Sequence, residues 1–97
     1  MDTIELDFTG IETERELHDY FKAVFRLPDY YGCNMDALWD CLYGSFSQPT
    51  TLVLRHVAAL PEEMRRTARV MLALFADLAC EDRHVTLLLE PADDPCP

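Results

Sequence analysis

Positive charge is what this chain has least of. Its 97 residues carry 8 Lys and Arg against 18 Asp and Glu, for a formal net charge of −10 at pH 7. No Lys or Arg stands between Arg26 and Arg55. The deficit disfavours nucleic acid and anionic membranes as partners, because both repel a negative surface. It favours a basic partner, unless the charge only keeps the chain in solution. Metal-type spacing is also missing. Cys33, Cys41, Cys80 and Cys96 contain no CxxC pair, and His18, His56 and His84 are scattered. Neither a zinc site nor a thioredoxin-type motif is therefore expected, and no cofactor. The amino-terminal MDTIELDF is acidic and lacks the apolar stretch of a secretory signal. No apolar run approaches the length of a membrane span. Free thiols in a reducing cytoplasm are the expectation.

What is there suits one globular domain. Apolar residues make up 49% of the chain, which argues against disorder. The length allows one core and no deep cleft between two domains. Residues 1–90 carry the patterned segments, and the acidic, proline-rich PADDPCP at 91–97 reads as a frayed tail.

Ile4, Leu6 and Phe8 alternate with acids, which predicts a half-buried strand stopped near Gly10. T-E-R-E from Thr13 is a capping box, with Glu16 placed to reach back to the cap. Leu17, Tyr20, Phe21, Val24 and Phe25 then form one apolar stripe of a helix. Leu27 precedes Pro28, so that helix should end there. Asn34 is a suitable cap for a short helix from about Met35 to Tyr43, with Gly44 as its stop. Gly32 can take the positive φ that Tyr31 or Cys33 would resist. Thr51 to His56 reads as a strand, and its continuous Leu52-Val53-Leu54 suits burial on both faces. Pro61 can open a further helix, with Glu62 and Glu63 near its positive end and Met64, Ala68, Met71, Leu72, Phe75 and Leu78 as its buried stripe. His84 to Glu90 is a third strand. This order predicts an α/β fold: a three-stranded parallel sheet with flanking helices, in the sequence β-α-α-β-α-β.

The short helix is the piece the crossovers do not need. At about 100° per residue, Met35, Leu38, Trp39 and Leu42 share one side, and Asp36, Asp40 and Tyr43 the adjoining one. Asp36 gains from the helix dipole, but Asp40 stands too far along to share it. Like charges at this spacing cost roughly 0.2–0.5 kcal/mol, with no local cation to offset it. Three readings are open: a solvated helix face, a pair of carboxylates for acid–base chemistry, or an anionic plug. Consecutive exposed turns make no cleft, which weakens the second. In the third, two carboxylates roughly 6 Å apart stand in for adjacent phosphates, and flanking aromatics anchor the contact.

The segment LPDYYGCNMDALWDCLYG, residues 27 to 44, resembles the signature of the barstar family, intracellular inhibitors of the extracellular ribonuclease barnase. The match runs through L-P-x-Y-Y-G-x-N-x-D-A-L-W-D-C-L-x-G and extends more weakly across nearly the whole chain. The resemblance implies the same fold and a helix-plus-loop surface that blocks a nuclease active site. Asp40 then matches the acid that enters the phosphate pocket, Asp36 its partner one turn earlier, and Tyr30 the aromatic against the catalytic histidine region. Gly32, Asn34, Met35, Trp39 and Gly44 match the same surface, and Tyr31 and Tyr43 flank it. Asp77, on the later helix, falls where the family has a peripheral glutamate, and Cys41 matches a family cysteine. The departures are Cys33 for an acid, Met35 for leucine, Ser45 for a second tryptophan, the shorter Asp77, and a longer SFSQPTT loop. They leave the acid pair and change the rim.

With the resemblance included, the expected function is inhibition of a ribonuclease by competitive occlusion in a 1:1 complex, with no bond made or broken and hence no enzyme. An alternative is an immunity protein for a different cationic toxin, such as a nuclease delivered by a neighbouring cell. An enzyme would need a ligand-sized cleft lined with perturbed carboxylates. Arg65, Arg66 and Arg69 read as a solvated face paired with Glu62 and Glu63. Trp39 could pack under the helix or line the contact surface. Tyr30 and Tyr31 cannot both point inward, and Cys33 is expected to be exposed.

Overall fold

The computed structural model describes residues 2–90. The expected tail at 91–97 lies outside the described residues. Six elements follow the predicted order: β1 (Asp2–Asp7), α1 (Glu14–Phe25), α2 (Met35–Leu42), β2 (Thr50–Arg55), α3 (Arg65–Glu81) and β3 (Val85–Glu90). The strands form one parallel sheet in the order β1-β2-β3, with Ile4 opposite Leu52 and Leu52 opposite Leu87. The fold is the α/β class anticipated.

The element ends show where local chemistry decided. Thr13 caps α1 through its side-chain oxygen, which accepts from Glu16 N–H at 3.1 Å. Glu16 does reach back, but to Glu12 N–H at 2.8 Å rather than to the cap residue itself. The helix stops at Phe25, before Leu27, because Arg26 turns left-handed at φ 55°. Leu27 N–H then donates to Lys22 O at 3.0 Å, which satisfies one of the carbonyls a helix end leaves open. At Pro61 the chain makes a separate 3₁₀ turn, Glu62–Met64, before α3 begins.

The core lies on one side of the sheet. Leu6, Phe8, Leu52, Leu54 and Val85 pack with Leu17 and Phe21 of α1 and with Met71, Leu74, Phe75 and Leu78 of α3. Leu74 is a buried residue outside the predicted stripe. Val53 is buried too, but it is not part of this cluster. Its Cα neighbours across the sheet are Glu5 and Leu88, and Leu88 is half exposed. The run Leu52-Val53-Leu54 is therefore buried for two reasons: helices cover the leucines, and flanking strands shield the valine. The expectation that this run is buried on both faces of the strand holds. On the edge of β1, Asp7 N–H is taken up by the Tyr20 hydroxyl at 2.8 Å, so α1 shields part of an otherwise open strand edge.

Aromatic rings carry the core outward. Phe75 meets Phe21 at 6.0 Å, Phe21 meets His18 at 5.9 Å, and His18 meets Tyr31 at 5.8 Å between centroids. Such pairs each add about 0.5–1.5 kcal/mol beyond their burial. His18 is only 4% exposed, and its Nδ1 is hydrogen-bonded to the Tyr31 hydroxyl at 2.7 Å. Burial holds the imidazole below its ordinary value, against the opposing pull of Glu14 and Asp19.

A histidine held low in the folded state is charged more readily when unfolded. The stability it lends is complete above the unfolded value of 6.5 and is lost as pH falls through the lower folded value. The urea midpoint should therefore drop between about pH 7.5 and 5.5. His18→Gln, which keeps a polar partner for Tyr31, should flatten that dependence. An unchanged slope in the variant would remove His18 as its cause.

Candidate functional site

The site begins where α1 ends. Pro28 to Tyr31 form a tight turn, with Tyr31 N–H donating to Pro28 O at 3.0 Å. The two tyrosines part across this turn, not by the alternation of an extended loop. Tyr30 is 86% exposed and Tyr31 6%. Tyr31, named with the contact residues, thus lies beneath the surface, where its hydroxyl holds His18. Burial pushes that hydroxyl well above the ordinary phenol range, so it stays a neutral anchor.

The following turn reverses the expectation for Gly32. The left-handed residue is Cys33, at φ 55°. Gly32 leaves room: a Cβ there would press on Asn34 Nδ2 at 3.3 Å and lie in ordinary contact with Ala37 Cβ at 3.5 Å. Asn34 is thereby free to cap α2. Its Oδ1 accepts from Ala37 N–H at 2.8 Å, and its Nδ2 donates to Gly32 O at 3.2 Å. At the other end Tyr43 N–H closes on Trp39 O at 2.8 Å, and Gly44 turns away at φ 78°.

Between these caps, α2 presents the two flanks the spacing predicts. Leu38 and Leu42 are buried, and Met35 and Trp39 half-buried. Asp36, Asp40 and Tyr43 are exposed. Among the described residues neither aspartate has a cation within ion-pair distance, and no basic residue lies in the last turn of α2. Trp39 divides its faces: it packs against the core cluster and stacks on Tyr43 at 5.2 Å and 19°. Asp77 is exposed on α3, the helix against which α2 packs. Cys33 is exposed, and Cys33, Cys41 and Cys80 are free thiols. Of the arginine cluster, Arg65 reaches Glu62 at 3.4 Å, and Arg66 and Arg69 are exposed.

The geometry brings Tyr30, Asp36, Asp40 and Tyr43 to one exposed surface, with Gly32 and Asn34 shaping it. His18 is the contributor the sequence reading missed. It lies next to Leu17 on α1 rather than within the apolar stripe, so only its tertiary partner reveals it. Exposed carboxylates without a desolvating wall are poorly suited to acid–base chemistry. They are suited to meeting a cationic surface, where charge-assisted hydrogen bonds form on association. Among the described residues no three His, Cys, Asp or Glu side chains gather to hold a metal, and no helix is long and apolar enough to cross a membrane.

In comparisons with known proteins, residues 1–91 match the family described as Barstar (barnase inhibitor). A protein of Bacillus subtilis (strain 168) named "Putative ribonuclease inhibitor YrdF" is 54% identical over 50 residues, which are 52% of this chain and 52% of that protein. The match thus spans about half the length of this relative.

The loop geometry yields two opposite expectations. Gly32→Ala should displace Asn34 and cost about 1 kcal/mol, the usual size of a lost helix cap. Cys33→Gly should stabilise by up to about 1 kcal/mol, since a left-handed L-residue costs roughly 1–2 kcal/mol and glycine returns part of that as entropy. Urea midpoints of the two variants decide both; a neutral Gly32→Ala would show that the cap tolerates the methyl group.

Proposed function

The chain belongs to the barstar family, and from that premise we propose that it inhibits a basic ribonuclease by seating α2 and the loop before it in the enzyme's cationic active site. The observation that carries this reading is the exposed pair Asp36 and Asp40, one turn apart on a helix capped at both ends, with no cation near them among the described residues. The pair takes the place of adjacent RNA phosphates. Asp40 and Asp36 accept charge-assisted hydrogen bonds from the lysines, arginines and histidine that would otherwise hold substrate. Tyr30 supplies a rigid anchor on one side, and the Trp39–Tyr43 stack supplies another. The net charge of −10 draws a basic enzyme into encounter. Met35 and Gly44 shape the ends of this footprint, and Asp77 extends its negative field from α3.

The mechanism is occlusion in a 1:1 complex and needs no chemistry from the chain. Because α2 is capped before binding, little ordering cost is left for association. Three free thiols suit a reducing cytoplasm, where such an inhibitor would guard the cell's RNA.

Barnase is the first enzyme to test. Inhibition should be competitive with RNA and weaken as salt is raised. Asp40→Ala should cost at least about 2 kcal/mol of binding, roughly 30-fold in Kd by calorimetry. The same substitution should leave the chain as stable or raise its stability by about 0.2–0.5 kcal/mol, because it relieves the repulsion with Asp36. Binding that survives Asp40→Ala intact would remove α2 from the contact. Failure to bind barnase at all would direct the search to a different cationic toxin, delivered from a neighbouring cell.

A further inference from the structure

Beside the acidic flank lies an open groove that the chain does not fill. Its volume is about 700 Å³, within the roughly 300–1,000 Å³ typical of pockets that take a small organic group. The C-terminal end of α1 and the turn after it supply Val24, Phe25 and Leu27, and Phe46 faces them from the loop after α2. Tyr30 and Asp40 line the same groove, so it is continuous with the proposed contact surface. Ser45, also in the lining, is small, and its hydroxyl donates to Leu42 O at 2.9 Å. That bond turns the side chain back toward α2 rather than across the opening.

The lining has a direction. Asp40 is a carboxylate with no cation within ion-pair distance among the described residues. Arg26 is a guanidinium held on a left-handed turn. A guanidinium repels a second cation but lies favourably against an aromatic face. The apolar residues favour a ring by simple burial. A group that satisfies all three is an aromatic ring with a positive charge close by, the ring over the apolar lining and the charge toward Asp40.

We propose that this groove receives an aromatic side chain of the inhibited ribonuclease, carried next to the basic residue that meets Asp40. The groove would then select among ribonucleases. The acid pair accepts many cationic active sites, whereas the groove favours those with a ring beside the cation. This rests on the inhibitor reading above, and the test separates the two.

The probe is tryptamine, which joins an indole to an ammonium group, titrated into the full-length ¹⁵N-labelled chain. Butylamine tests the charge without the ring, and indole-3-acetate tests the ring with the opposite charge. Tryptamine should shift the backbone amides of Val24 to Leu27 and Cys41 to Phe46 saturably, and bind at least about fivefold more tightly than either control. Ser45→Trp, a substitution at an exposed loop position, should fill the opening and abolish the shifts, whereas Ser45→Ala should keep them. Bound barnase should move the same amides. Equal binding of butylamine, or shifts that survive Ser45→Trp, would overturn the groove. So would barnase that binds and inhibits while these amides stay in place, and that outcome would leave the inhibitor reading intact. Tryptamine binding without inhibition of barnase would do the reverse, keeping the groove's preference and removing barnase as the partner.

Discussion

One buried hydrogen bond, between His18 Nδ1 and the Tyr31 hydroxyl, ties the exposed loop before α2 to the core. Within the Pro28–Tyr31 turn Tyr31 points inward and Tyr30 outward, so the bond that holds one ring also fixes the turn that carries the other. The hold is strong for its size. The hydroxyl lies in a buried aromatic cluster that continues through Phe21 to Phe75. A buried hydrogen bond there contributes about 0.5–1.5 kcal/mol net, and breaking one partner would cost more than making the bond gains. The loop is thus tied to α1 through the ring of its own Tyr31.

From that anchor the chain reaches α2 through three adjacent positions with different physical roles. Gly32 leaves room, Cys33 takes the left-handed turn, and Asn34 caps the helix. The left-handed cysteine is held at a cost of about 1–2 kcal/mol. The cap and the Tyr31 anchor offset that cost, which is how a strained residue persists in a short loop. The result is a helix whose start is fixed to the residue. That matters because Asp36 and Asp40 sit on its first and second turns, and a shift of one position would rotate both acids by about 100°.

Much of this was legible in the sequence, and the parts that were not share a cause. The strands, both long helices and the two side-chain caps follow from local periodicity and from Thr13 and Asn34, whose effects act within one turn of chain, whereas Pro61 opens a separate 3₁₀ turn rather than α3. The two flanks of α2 also follow, because they depend only on spacing. What failed depended on neighbours in space, whether near or distant in sequence. Gly32 was assigned the unusual φ because glycine tolerates it best, yet Cys33 takes it, and a Cβ on Gly32 would instead press on the Asn34 side chain at 3.3 Å. Tyr31 and His18 are thirteen residues apart, and no local pattern links them. The groove draws on β1, α1 and the loop after α2, so it has no linear signature at all.

The acid pair bears on why the surface is built this way. A chain shaped for stability alone would place a lysine or arginine one turn from Asp40, since an oppositely charged pair at that spacing gains what a like-charged pair loses. Here the basic residues are elsewhere: Arg65 pairs with Glu62, Lys22 with Asp29, and Arg55 with Glu5. The chain therefore has cations and uses them to neutralise other acids. The penalty left on α2 is a few tenths of a kcal/mol, small against the several kcal/mol available when a desolvated carboxylate meets a cation across an interface. A helix face with this imbalance is slightly unfavourable alone, and under the proposed function the cations of the partner would more than offset that cost.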